Sequence, residues 1–320
     1  MTRHKFFPLF ITLVLFVLMF ASGAIQFENF GTLRVFVNLL TDNAFLLITA
    51  VGMTFVILSG GIDLSVGSTI ALSGVIISVL LTHYGWHPLP AFIVVLSFGT
   101  VFGATMGAII HFYRLQAFIV TLAGMFFARG LAQVISSESL PINHPFYDTL
   151  AMAGIRLPGN AWLDTSTLIS LVVLVVAIAV ANFTRFGGRV YAIGGDAHSA
   201  ALMGVPMAST VIGVYALNSF LAALSGIIFS FYTFSGYSLA AVGVELDAIA
   251  AVVIGGTLLS GGRGYVIGTL FGVLIMGVVQ TYISFDGSLS SWWTKIVIGL
   301  LLFVFIALQK GLSIRETQRV

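Results

Sequence analysis

The sequence predicts an all-α protein, a polytopic membrane helical bundle of about ten transmembrane helices. Three observations carry this. Of 320 residues, 59% are hydrophobic and 8% charged, whereas a soluble chain carries roughly 25% charged residues. The mean hydropathy is +1.11, so lipid must solvate much of the surface. Apolar runs of membrane-crossing length recur along the chain, and each must be a helix because backbone groups in hydrocarbon have to be bonded within the segment.

The first run, Phe6 to Ile25, follows Thr2-Arg3-His4-Lys5. A cleaved leader has an apolar core of roughly 7–15 residues. This run has the length of a full span, so it is expected to be a retained first helix. The next runs fall at 43–59, 65–82, 89–110 and 116–135. The polar stretch Ser136 to Asp164 is too short for a soluble domain and reads as a loop. The remaining runs are 165–183, 208–233, 244–260, 265–284 and 293–309. The segment at 244–260 is short, rich in glycine and opens on Glu245 and Asp247, so a re-entrant half-helix is the alternative to a full span. Interruptions are expected near 60–65 and 244–264. Residues 1–320 are expected to form a single membrane domain.

An even number of spans puts both termini on one side. The basic residues follow: Arg3, Lys5, Arg114, Arg185, Arg189, Arg263, Lys310, Arg315 and Arg319 fall on one face, and Arg34, Arg156 and Lys295 on the other. The positive-inside rule makes the first face cytoplasmic, with both termini and the connection 187–206 on it. Trp86, Trp162, Trp292 and Trp293 all fall at outer span ends, as an interfacial aromatic belt should. Arg129 lies inside a span, and is expected to snorkel outward or to pair with a carboxylate such as Glu138. The glycines Gly99/Gly103/Gly107 and Gly268/Gly272 are spaced four apart, which lets helices approach closely.

Several functions are excluded. There is no cysteine, hence no thiolate metal site or thiol nucleophile. The net charge is +2, but the basic residues are scattered at segment ends, so no nucleic-acid surface is expected. Gly262-Arg263-Gly264 resembles a phosphate loop, yet no Gly-Lys-Ser/Thr occurs anywhere, so the chain has no Walker A motif. His83 and His87 are four apart but straddle Gly85 and precede Pro88, which does not suit a metal site. No Ser/His/Asp set is recognisable, so no catalytic residues and no cofactor are expected and the chain is not read as an enzyme.

Three segments stand out. In Ser59-Gly60-Gly61-Ile62-Asp63-Leu64-Ser65-Val66-Gly67-Ser68, two glycines break one helix and Asp63 or Ser65 can cap the next. A discontinuous helix of this kind suits a substrate path or gate. The plainer reading is that Asp63 is only a cap. In Gly243-Val244-Glu245-Leu246-Asp247, continuing to Gly255-Gly256, two carboxylates sit where the helix dipole favours negative charge. They point about 200° apart and cannot act as one acid–base pair. Helix capping competes here with a role in the path. The third segment runs from Arg185 to Pro206 and contains Arg189, Gly194, Gly195, Asp196, Ala200, Ala201 and Gly204. Asp196 can cap a short helix, Ala197 to Met203, closed by Gly204. Such a helix suits a groove on a partner protein, or is an ordinary surface loop helix. Leu58-Ser59-Gly60-Gly61 also matches Leu259-Ser260-Gly261-Gly262. The two run in the same direction, whereas a five-plus-five inverted repeat would oppose them.

Together Gly60-Gly61-Ile62-Asp63-Leu64-Ser65-Val66-Gly67-Ser68, Tyr191-Ala192-Ile193-Gly194-Gly195 and Glu245-Leu246-Asp247-Ala248-Ile249-Ala250-Ala251-Val252-Val253-Ile254-Gly255-Gly256 resemble the permeases of bacterial sugar ABC importers of the ribose/xylose/galactose type. Within that family the chain looks most like the galactofuranose type. The resemblance covers nearly the whole chain. It implies an inner-membrane permease that pairs with a second permease, the same chain or a sister. It also implies a cytoplasmic ATPase contacted through 187–206 and a periplasmic sugar-binding protein at the outer face. The family's loop usually reads Gly-Gly-Asn followed by an acidic residue; here it reads Gly195-Asp196-Ala197-His198. The cap survives that departure, but specific polar contacts to the ATPase are put in question. A rival function is an ion-coupled secondary transporter using Asp63, Glu245 or Asp247. A membrane-embedded enzyme or scaffold ranks last. Asn218, Tyr232, Tyr237 and Gln280 are polar groups in or beside spans with no assigned role.

Overall fold

The structure, a computed structural model, describes residues 7–290 and 292–317, with side chains described over 9–290 and 292–307. Arg3, Lys5 and the side chains of Lys310, Arg315 and Arg319 lie outside the described residues.

Every expected span contains a helix. They are α1 (Phe7–Gln26), then α2 (Leu33–Asp42) leading into α3 (Ala44–Leu58), α4 (Val66–Thr82), α5 (Pro88–Tyr113) and α6 (Ala117–Ile135). Next come strand β1 (Leu140–Pro141), α7 (Pro145–Met152), β2 (Gly154–Leu157) and β3 (Ala161–Asp164). The chain continues through α8 (Thr165–Phe183), α9 (Arg185–Gly195), α10 (Ala197–Leu202) and α11 (Met207–Thr233). It closes with β4 (Ser235–Gly236), α12 (Val244–Ile254), α13 (Val266–Asp286) and α14 (Trp292–Thr317). Among the described residues, six helices are long and apolar enough to cross a membrane, or seven when α2 and α3, bent by 58°, count as one span. α4 and the Trp292–Ala307 part of α14 are shorter apolar helices.

Two features differ from the sequence reading, and a third decides between its alternatives in favour of the half-helix. The run expected at 244–260 is helical only to Ile254, because Gly255 and Gly256, the latter at φ +92°, end it. Eleven residues rise about 16 Å, half of a hydrocarbon core of roughly 30 Å, so α12 is a half-helix. The stretch 136–164 is built rather than a plain loop. It holds α7 and the antiparallel hairpin β2–β3, in register from Gly154↔Asp164 to Leu157↔Ala161, and β1 pairs with β4. Helix α2 was not foreseen. It carries two buried residues, Val37 and Leu39, and is capped by the Thr32 side chain, which accepts from the Val35 N–H.

The core lies on α3, α4 and α11. Nearly every residue of α3 is buried, so it is wrapped by protein on all sides. The glycine stripe of α5 seats α11: a Cβ at Gly99 would stand 2.7 Å from Ala223, at Gly103 2.2 Å from the Tyr215 carbonyl, and at Gly107 2.8 Å from Ile212. Gly268 and Gly272 do the same for α13 against α12, with a Cβ 2.0 Å from the Gly255 carbonyl and 1.9 Å from that of Ala251. Small residues thus let backbones touch where no hydrophobic force separates protein from lipid. α1, α5, α6, α8 and α14 turn Leu18, Ile93, Phe126, Val175 and Phe303 outward, as a lipid-facing surface requires.

The bundle has two distinct ends. One carries α7 and the β2–β3 hairpin, together with Arg34 and Arg156 and the exposed Trp86 and Trp162. The other carries α9 and α10, together with Arg114, Arg185, Arg189 and Arg263. They are called below the hairpin end and the α10 end.

Candidate functional site

The first interruption follows α3. Ser59 ends the helix, Gly60 takes φ +84°, and residues 61–65 are non-helical before α4 begins at Val66. Asp63 is fully buried. Its Oδ1 accepts from the Ser65 backbone N–H at 2.8 Å and from the Ser65 hydroxyl at 2.7 Å. Its Oδ2 accepts from Asn218 Nδ2 at 2.8 Å. Asp63 therefore satisfies an orphan donor at the start of α4 and ties the break to the middle of α11. Thr121 of α6 donates to the Ile62 carbonyl at 3.3 Å. Gly61 lies against Tyr215, whose hydroxyl would stand 2.3 Å from a Cβ there.

A second irregular segment, 234–243, joins α11 to α12. A Cβ on Gly236 would meet the Ser78 hydroxyl at 2.1 Å and the Gly74 carbonyl at 2.3 Å. Further along, the Ala241 carbonyl would stand 2.6 Å from a Cβ on Gly67. The segment thus descends from the hairpin end along α4, past seven or more helical residues, which is at least about 10 Å. Arg129 holds it there. Its Nη1 donates to the Ser238 carbonyl at 2.6 Å and to the Ala240 carbonyl at 2.7 Å. Arg129 neither snorkels outward nor reaches Glu138. The carbonyls of buried Ser238 and half-buried Ala240, in a non-helical segment, need a donor, and a guanidinium supplies both bonds at once.

The first turns of α4 and α12 abut at the foot of this segment. A Cβ on Gly67 would stand 2.3 Å from Glu245 Oε2. Glu245 Oε1 accepts from the Gly243 N–H at 3.2 Å, while Oε2 is buried without a hydrogen-bond partner. Asp247, two residues on, faces elsewhere: Lys295 Nζ of α14 donates to both its oxygens, at 2.8 and 2.6 Å. The positive N-terminal ends of α4 and α12 therefore meet inside the bundle, with one carboxylate between them. Beside them Leu239, Val242 and Leu246 are exposed at 48%, 67% and 61%.

The second interruption, 255–265, returns to the α10 end. The Leu258 N–H bonds to the Arg263 carbonyl at 2.9 Å, and the Gly262 N–H reaches across to the Leu58 carbonyl at 2.9 Å. The echo between 58–61 and 259–262 is thus two breaks meeting face to face.

The connection 187–206 forms two helices, α9 and α10, where one was expected. On α9, Gly187, Val190 and Ile193 are buried, and Arg189 is half-buried. Asp196 ends α9 and caps α10, its Oδ1 accepting from the Ser199 N–H at 2.5 Å. That bond holds the Asp196 carboxyl below the usual carboxylate range. Gly204 takes φ +78° and closes the helix. Ala200 is fully buried, whereas Ala201, Leu202 and Met203 are exposed, Leu202 at 77% and Met203 at 72%. Gly195 is exposed and Gly194 half-buried.

The structure brings Gly61, Asp63 and Ser65 together with Tyr215 and Asn218. It brings Glu245 to Gly67 and Gly60 to Gly194, and it leaves Asp247 apart with Lys295. Sequence reasoning left Asn218 without a role and assigned Arg129 other partners. The signal was present: each is a polar group within an apolar helix, where it must be satisfied by protein. What this arrangement offers is an interrupted, partly polar segment packed inside the bundle, with Asp63, Ser65 and Asn218 fully buried.

The family described as "Branched-chain amino acid transport system / permease component" matches residues 35–306. The chain is 59% identical to the inner membrane ABC transporter permease protein YjfF of Escherichia coli, over 96% of this chain and 93% of that protein. It is 38% identical to the fructose import permease protein FruG of Bifidobacterium longum, over 96% of this chain and 92% of that one. It is 37% identical to the ribose import permease protein RbsC of Escherichia coli, over 89% of this chain and 88% of that one. No solved structure matches.

Proposed function

This chain belongs to the permease-component family that matches residues 35–306, and on that premise we propose that it is the membrane passage of an ATP-driven monosaccharide importer. Galactofuranose or a closely related sugar is the cargo we favour. The named fructose and ribose import permeases among its relatives support a sugar. In this reading a cytoplasmic ABC ATPase docks on α10 and a periplasmic sugar-binding protein delivers cargo at the hairpin end. The chain then sits in the bacterial inner membrane with both termini cytoplasmic. Exposed Leu202 and Met203 on a capped helix outside the spans are the single observation that carries the docking role.

The path runs beside Gly60, Gly61, Asp63, Ser65, Glu245 and the segment 234–243. Non-helical backbone at membrane depth is tolerated only where protein covers it or water lines it. Leu239, Val242 and Leu246 leave one side of that segment uncovered, and a second permease, the same chain or a sister, would cover it. The ion-coupled rival keeps one candidate, Glu245, whose Oε2 has no hydrogen-bond partner; Asp247 is paired with Lys295, and Asp63 spends its oxygens on Ser65 and Asn218.

The test is reconstitution in proteoliposomes with and without a candidate sugar-importer ABC ATPase. Sugar uptake that requires the ATPase and ATP supports the reading. Uptake by this chain alone, driven by an ion gradient, refutes it.

A further inference from the structure

Three Gly-Gly pairs, remote in the chain, meet at the α10 end: Gly60-Gly61 after α3, Gly194-Gly195 at the end of α9, and Gly261-Gly262 in the second break. A Cβ on Gly194 would stand 1.8 Å from the Leu58 carbonyl and 2.5 Å from the Gly262 nitrogen. On Gly261 it would stand 2.9 Å from the Gly60 Cα and 3.0 Å from the Gly194 carbonyl; on Gly262, 2.6 Å from the Gly195 Cα. Each pair thus touches the other two through main chain, with no side chain between. Two hydrogen bonds fasten the contact. The Gly262 N–H donates to the Leu58 carbonyl at 2.9 Å, and the Tyr191 hydroxyl of α9 donates to the Gly264 carbonyl at 2.9 Å.

What each pair leads to gives the contact its meaning. Gly194-Gly195 continue through Asp196 straight into α10. Gly60-Gly61 continue to Asp63 and the first turn of α4. Gly261-Gly262 lie between α12, whose first turn holds Glu245 against Gly67, and α13. Side chains absorb displacement by changing rotamer, whereas touching peptide groups have no such slack.

We propose that the main chain at Gly194 and Gly262, fastened by the Tyr191 hydroxyl, forms a joint that passes a displacement of α9–α10 to both interrupted segments at once. They are positioning residues for transport, and this inference rests on the reading of α10 as the ATPase dock. Gly262 and Gly261, at φ +71° and +83°, adopt a conformation that other residues enter only with strain. Gly194 owes its identity to space alone.

The experiment compares Tyr191→Phe and Gly194→Ala with a control, Gly188→Ala, where a Cβ meets nothing within 4 Å. Each is assembled with the ATPase and the binding protein in proteoliposomes. The readouts are ATPase retained on purification, ATP hydrolysis, and sugar taken up per ATP hydrolysed. The joint predicts that ATPase is retained in all three. It also predicts that sugar per ATP falls at least threefold in Tyr191→Phe, about tenfold in Gly194→Ala, and not in the control. Should Gly194→Ala fail to fold, Tyr191→Phe, which adds no atom, decides alone. An unchanged ratio in Tyr191→Phe overturns the joint, as does loss of ATPase retention in that variant. A wild-type chain that retains no ATPase overturns the docking reading, and the joint with it.

Discussion

The Asp63 carboxylate accepts a 2.8 Å hydrogen bond from Asn218 Nδ2, across 155 residues of chain. Both residues are fully buried. One carboxylate oxygen starts α4 and the other grips α11, so a single side chain fixes where the first interruption sits relative to the helix beside it. Replacing Asn218 by Leu leaves a buried carboxylate short of one donor, which costs about 1–3 kcal/mol. Thermal unfolding in detergent should show the loss directly. Asp63→Asn keeps a carbonyl oxygen for one bond and should cost less than Asp63→Leu.

Arg129 supports the prediction for the dipping segment. A Lys there offers a point charge without a planar pair of donors and should hold one of the two carbonyls poorly. Arg129→Gln removes the charge-assisted bonds, worth roughly 1.5–3 kcal/mol each at most. Both variants should increase amide exchange over 235–243 relative to α4, with Arg129→Gln showing more. Unchanged exchange in Arg129→Gln would mean that the segment holds itself.

The α5–α11 seam gives a steric prediction. Gly103→Val puts carbon into the Tyr215 carbonyl and the Ser219 side chain, and overpacking of this kind costs roughly 1–3 kcal/mol. The melting temperature in detergent should fall. Gly130→Ala, inside α6 where a Cβ meets nothing within 4 Å, should not lower it.

Asp196 carries the cap of α10. Its carboxyl is held below the usual range, chiefly by the Ser199 backbone N–H. A depressed folded value means that its contribution is present above the unfolded value and lost only as pH falls through the folded one. Between pH 6 and 8 the cap is therefore fully charged, and ATPase retention should not vary with pH on its account. Asp196→Ala should weaken retention in a pull-down, and Asp196→Ser, another good N-cap, should restore much of it.

How much of this was legible beforehand differs by region. The helices of the expected spans were, because lipid leaves an apolar run no choice but helix; their lengths were less so, since α12 stops at Ile254. The Asp196–Gly204 helix was, because a cap and a stop glycine bracket it. Helix α2 was not: ten residues with a polar face look like a connection. The hairpin β2–β3 lies among Gly, Pro and Asn that read equally as loop. At the site, the glycine breaks announced themselves, but their meeting did not. Nothing local to Gly194 says that Leu58 lies against it, since that contact is set by how α3 and α9 pack. Arg129 likewise looked free to reach solvent until the descending segment placed two carbonyls before it.

The central claim is that this chain draws its energy through α10. A photo-crosslinking amino acid in place of Leu202, which is exposed at 77%, tests it most directly in cells that also express the candidate ABC ATPase and sugar-binding protein. The account predicts an adduct between this chain and the ATPase after illumination. An adduct only with the periplasmic binding protein, or none in cells that still take up the sugar by ATP hydrolysis, would contradict it.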